Sequence, residues 1–128
     1  MKSGFSVRVS ESSKTLTARE KLMFSDTTNA TKLDEIVTTD SPVVIRPVDY
    51  VILSVHNEKS ENVEYDVYVL VDDNGNKYIT GSQSFWNSFA DIWETMKDSG
   101  ETEPFEIEVY KKESKNYKGK FFLTCSIV

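Results

Sequence analysis

The chain has a single histidine, His56, and a single cysteine, Cys125. A Ser-His-Asp or Cys-His nucleophilic system would have to run through that one imidazole, and no nucleophile motif surrounds any serine or the cysteine. A zinc centre needs more Cys and His than the chain contains. The phosphate-cradling patterns GxxxxGKS/T and GxGxxG do not occur. "DDNGN" (Asp72 to Asn76) has the opening acids of a calcium loop but lacks the glutamate expected at the twelfth position, and it falls where a hairpin needs its turn. Glu106 and Glu108 share one strand face two residues apart, which a solvated face explains better than a carboxylate pair for glycoside hydrolysis. No catalytic set, metal site or cofactor site emerges, and the chain is not expected to be an enzyme.

A different chemistry is carried by "YKKESKNYKGKFFLT" (Tyr110 to Thr124). Between Tyr110 and Lys120 five lysines stand against Glu113, a local charge of +4 in a chain of net charge -6, leaving -10 on the remainder. A solvated turn with glycine at a positive φ accounts for lysines in general. It does not account for their concentration here, nor for Tyr110 on the polar face and Tyr117 inside the loop, where the core needs neither. Cations along phosphates combined with flat π-faces for bases are what non-specific single-strand binding requires. The acidic balance argues against coating duplex DNA by gross charge, while a local basic segment points to an anionic partner. Trp86 and Trp93 could also form a stacking platform, but at helical spacing they read as packing.

The elements that must position this segment follow from periodicity. Residues 1–41 are polar and read as an N-terminal arm, in which "SSKTLTAREKLMF" is either extended or a short helix whose Thr17 and Glu20 are spaced as a capping box. From Pro42 the pattern changes. "VVIRPVDYVILSVH" (Val43 to His56) reads as a strand, with Pro47 allowed only at an edge, a start or a bulge. "NEKSEN" (57–62) is a connecting loop. In "VEYDVYVLVD", Val63, Tyr65, Val67, Val69 and Val71 alternate with Glu64, Asp66, Tyr68 and Leu70, a half-buried strand that places Tyr65 nearer the core and Tyr68 outside. Asn74-Gly75 turns that strand back onto "KYIT". In "GSQSFWNSFADIWETMKDSG" a Ser cap precedes Phe85, Phe89, Ile92 and Met96 on one helix face, and Gly100 ends it. "PFEIEVYKKE" and "KFFLTCSIV" are two further strands, the second with Phe121, Leu123, Cys125 and Ile127 alternating against Phe122, Thr124 and Ser126. The order β-β-β-α-β-β over 42–128 is that of a mainly β, five-stranded OB-like barrel with one helix between strands three and four. The lysine-rich loop then joins strands four and five, and "HNEKSEN", with His56 and Lys59, joins strands one and two; these are the loops that grip oligonucleotides in such barrels.

At 128 residues one domain is the simplest reading. An aromatic fraction of 12% excludes wholesale disorder. No apolar run approaches the length of a membrane span, no apolar leader follows Met1, and Cys125 in "FFLTCSIV" reads as a core thiol. Together these suggest an intracellular location and no membrane partner.

"NKYITGSQSFWNSFADIWE" followed by "PFEIEVYKKESKNYKGKFFLTCSI" resembles the small single-stranded-DNA-binding proteins of tailed bacteriophages and mobile elements of Gram-positive bacteria. It is similar, more loosely, to the replication single-strand-binding proteins of phages that prime replication with a protein. The shared elements are the hairpin from Gly75 to Tyr78, the helix from Ser82 to Met96, the strand from Phe105 to Tyr110, and the hairpin from Ser114 to Phe122. The resemblance covers about residues 20–128. It implies an OB barrel that coats single-stranded DNA without sequence preference, in the cytoplasm of a bacterial host, during DNA replication or recombination. On that reading Lys111, Lys112, Lys115, Lys118 and Lys120 meet phosphates, Tyr110 and Tyr117 stack on bases, and Asn116 hydrogen-bonds backbone or base. Tyr68 and Phe122 are further platforms, and His56 and Lys59 flank the other loop. RNA is the alternative strand, replication or recombination proteins are further partners, and both a monomer and a homodimer are compatible. No acidic tail follows "SIV", so recruitment through such a tail is not expected. The competing reading is a protein-interaction module, a phage-borne adaptor or inhibitor, whose acidic surface is the working one.

Overall fold

A computed structural model describes residues 4–59, 61–100 and 104–128. The first three residues of the expected arm, residue 60 of the expected 57–62 loop, and residues 101–103 lie outside the described residues. The chain is mainly β, in the order β1 (Phe5–Ser12), α1 (Ala18–Ser25), β2 (Thr31–Lys32), α2 (Leu33–Ile36), β3 (Val43–Ile45), β4 (Pro47–Asn57), β5 (Glu64–Asp72), β6 (Lys77–Thr80), α3 (Gln83–Asp98), β7 (Ile107–Glu113) and β8 (Phe121–Ile127). The strands form a five-stranded sheet, β1-β4-β5-β6-β2, and a three-stranded sheet, β3-β7-β8. The strands expected to close one barrel are thus divided between two sheets. The first expected strand is itself two: Pro47 opens β4, and β3 ends at Ile45. A residue without an N–H interrupts a ladder where it stands, so the break falls beside the proline.

Two compact units make up the chain, Met1–Thr31 with Val48–Gly81 and Lys32–Pro47 with Ser82–Val128. They cut across the expected boundary between residues 41 and 42. In the first unit β1 pairs antiparallel with β4 from Phe5↔Asn57 to Ser12↔Val51, with a bulge between Val9 and Glu11. Much of the expected arm is therefore sheet. The reason is a period of two: Val7 and Val9 pack against a core of Leu16, Val51, Leu53 and Val69, while Ser6 and Arg8 alternate with them. The helix α1 starts as its sequence requires. The Glu20 N–H donates to Thr17 Oγ1 (3.1 Å), and the Thr17 N–H donates to Glu20 Oε1 (3.0 Å).

The β5–β6 hairpin turns at Gly75, whose φ of +84° is open to glycine at little cost. Inside the turn the buried Asp72 carboxylate accepts from the N–H groups of Asn74 (2.9 Å) and Asn76 (2.8 Å), from Asn76 Nδ2 (3.1 Å) and from the Tyr78 hydroxyl (3.3 Å). Burial alone would raise its pKa, but these bonds outweigh it and hold the carboxyl below its usual range. "DDNGN" is a turn clamp.

In the second unit β3 pairs with β7 from Val43↔Val109 to Ile45↔Ile107, and β7 pairs with β8 from Ile107↔Ile127 to Glu113↔Phe121. The helix α3 is capped by Ser82, whose Oγ accepts from the Phe85 N–H (3.1 Å). Its Ser84 hydroxyl donates to the Leu123 carbonyl of β8 (2.8 Å), and Ser88 bonds the Thr124 hydroxyl (2.9 Å). Phe85 and Phe89 are fully buried and stacked at 6.0 Å. Trp86 and Trp93 lie 5.4 and 5.8 Å from Phe89, and Trp93 meets Phe105 edge-on at 6.0 Å. Both tryptophans are packing residues, with Lys97 over the Trp93 ring at 4.7 Å. Cys125 is buried as a core thiol whose pKa burial pushes up to about 12. Among the described residues no helix is long and apolar enough to cross a membrane.

Candidate nucleic-acid interface

The β7–β8 hairpin belongs wholly to the second unit, and its register assigns each candidate to a face. Val109↔Cys125 and Lys111↔Leu123 alternate with Tyr110↔Thr124 and Lys112↔Phe122. One face therefore carries Tyr110, Lys112 and Phe122 together. Tyr110 and Phe122 stand on a diagonal, roughly 7–8 Å apart at Cα, with Lys112 directly opposite Phe122. Both rings are half-buried and Lys112 is exposed. The Tyr110 hydroxyl pairs with Ser126 Oγ on the same face (2.8 Å), which fixes the ring by its far end.

The tip is built by the backbone. Ser114 N–H donates to the Lys120 carbonyl (2.8 Å) and Lys120 N–H to the Tyr117 carbonyl (3.1 Å), so Tyr117 to Lys120 is a β-turn. Gly119 supplies the positive φ of +82° at its third position, as a type II turn demands. Its N–H donates to Glu113 Oε2 (3.2 Å), so the one acid of the segment is folded onto the loop it would otherwise oppose. Lys115, Asn116, Lys118 and Lys120 are all exposed on this tip. Tyr117 is 65% exposed, with Lys120 Nζ 5.8 Å from its ring centroid. A large aromatic ring held at a turn among three exposed lysines, with Lys112 on the adjoining strand, is the arrangement that base stacking with phosphate neutralisation needs.

Four expectations are corrected. Lys111 does not join this surface: its register places it on the opposite face, where Nζ donates to the Asp34 carbonyl (3.2 Å). Tyr68 is only 4% exposed and offers no ring face to a ligand. The strand there is covered on both faces, since Tyr68, Val69 and Leu70 are all buried, and alternation no longer separates inside from outside. Burial, then the charge of Asp66, raises the Tyr68 hydroxyl pKa. Tyr65, assigned to the core side, is the exposed tyrosine of β5. Phe121, expected in the core, is 50% exposed because the hairpin runs on past Leu123, where its core contacts end. Its register, Glu113↔Phe121, puts it on the face of Lys111 and Leu123, away from Tyr110, Lys112 and Phe122.

His56 and Lys59 belong to the first unit. His56, one residue before the end of β4, has Nδ1 3.1 Å from Glu64 Oε1. Lys59 is exposed, in a loop pinned by its own N–H to Asn57 Oδ1 (3.0 Å) and by Asn57 N–H to the Val63 carbonyl (2.7 Å). Compared with protein-family models, curated proteins and solved structures, the chain matches none of them.

Proposed function

We propose that this chain binds single-stranded DNA without sequence preference through the β7–β8 hairpin, with RNA bound by the same chemistry. The observation that carries the reading is Tyr117, 65% exposed at a glycine-defined turn with Lys120 against its ring. Lys112, Lys115, Lys118 and Lys120 take phosphates; Tyr117 is the principal stacking ring, and Tyr110 and Phe122 are the secondary ones. The remaining charge of -10 leaves this hairpin as the place where a polyanion is favoured. The order β4-β5-β6-α3-β7-β8 also supports an OB-like architecture. With the resemblance to phage and mobile-element proteins, this makes the role one of coating DNA strands exposed during replication or recombination in a bacterial cytoplasm. Replacing Tyr117 by Ala should weaken oligo-dT binding by about 1–3 kcal/mol while leaving the thermal midpoint unchanged. An unaltered affinity removes the stacking role. A gel shift that fails with labelled oligonucleotide, alongside capture of a host protein by the acidic surface, favours the adaptor reading instead.

A further inference from the structure

The first unit holds a polar surface cavity of about 320 Å³ lined by Ser6, Arg8, Ser54, His56 and Glu64. Its floor is a grid of cross-strand pairs, Ser6↔His56 and Arg8↔Ser54, on the face of β1 and β4 that carries the polar residues. Such a grid measures roughly 5 by 7 Å between side-chain origins. Arg8 and His56 stand on one diagonal and the two serines on the other, so both longer side chains can converge on one centre. The wall is polar, not apolar. Its one carboxylate, Glu64, is taken up by His56 Nδ1 at 3.1 Å, which orients the imidazole. Among the described residues the Arg8 guanidinium enters no ion pair, unlike Lys14, which bridges Glu20 and Asp49. A guanidinium fork beside two hydroxyls presents donors to anionic oxygens.

We infer that this cavity is a phosphate-binding subsite. Its ligand class is the phosphate group, either a diester within the bound strand or the monoester of a free nucleotide. The first source rests on the strand-binding reading above; the second does not. Arg8 takes two phosphate oxygens in bidentate fashion, and the Ser6 and Ser54 hydroxyls take the others.

The test uses the full chain, labelled with nitrogen-15, titrated at low salt with inorganic phosphate, dTMP, thymidine and a short oligo-dT. The amide signals of Ser6, Arg8, Ser54 and His56 should move with phosphate and dTMP and stay still with thymidine. Arg8→Gln should abolish those shifts, and Ser54→Ala should reduce them, with both variants melting as the parent does. With oligo-dT, Arg8→Gln should lower affinity about tenfold. Shifts that sodium chloride reproduces at equal ionic strength, or that survive Arg8→Gln, overturn the subsite. Oligo-dT binding that Tyr117→Ala weakens and Arg8→Gln leaves unchanged overturns the diester source while the hairpin reading stands. Shifts with phosphate and dTMP in a protein that fails to bind oligo-dT support the subsite as a nucleotide site and refute the hairpin reading.

Discussion

Salt dependence separates the two faces of the hairpin. Four lysines, Lys112, Lys115, Lys118 and Lys120, are exposed on it, while Lys111 lies on the opposite face with its ammonium on the Asp34 carbonyl. Each phosphate neutralised on a single strand contributes about 0.7 to the slope of log affinity against log salt, so the four together give about -3. A fourfold rise in salt should then lower oligo-dT affinity by about sixtyfold. Lys112→Gln should make the slope shallower by about 0.7, and replacing all four should bring the hairpin's share close to zero. Lys111→Gln should change it by less than half as much as Lys112→Gln. The assay is fluorescence anisotropy of a labelled oligo-dT at several salt concentrations. A slope unchanged after fourfold replacement refutes the hairpin as the electrostatic surface. Equal effects of Lys111 and Lys112 refute the assignment of faces.

Three further outcomes test the frame that holds the site. Phe89→Ala should cost about 3–5 kcal/mol and lower the denaturation midpoint, since it opens a space between Phe85, Trp86 and Trp93. The lowered pKa of Asp72 means that its clamp is fully stabilising above the usual carboxyl range and is lost as pH falls through its folded value. Thermal melts between pH 6 and about pH 2 should therefore fall more steeply for the parent than for Asp72→Asn, which should start lower and vary less. The Cys125 thiol, its pKa pushed up to about 12 by burial, should react with a disulfide reagent only as fast as the protein opens, and promptly in denaturant.

Local chemistry was legible in the sequence wherever one residue type answers one backbone need. The Thr17–Glu20 box and the turn at Gly75 stand where the residues place them, Ser82 rather than Ser84 caps α3, and β6 keeps the expected Lys77–Thr80 bounds. Tertiary cover was not legible. Alternation separates two faces but does not say which of them is buried, and at Tyr68 to Leu70 both are. It also does not say where the body of the protein ends, so Phe121 reads as core although the hairpin has already left it. The strand β1 was hidden by composition: serines and Arg8 made "FSVRVSES" look like a polar arm, although Val7 and Val9 keep the period of a strand. Arg8, with its cavity, was lost for the same reason. Within the hairpin the basic tip was evident from charge, but the loss of Lys111 from it depends on register, which only the pairing with β8 sets.

The most direct measurement is the quenching of tyrosine and tryptophan fluorescence on titration with poly-dT at low and then high salt, beside a duplex of equal length. Saturable quenching that salt reverses, with the duplex bound more weakly, is the expected result, because the unpaired bases of poly-dT can stack on Tyr117 while those of a duplex are already stacked on each other. No quenching, or equal affinity for duplex and single strand, contradicts the account.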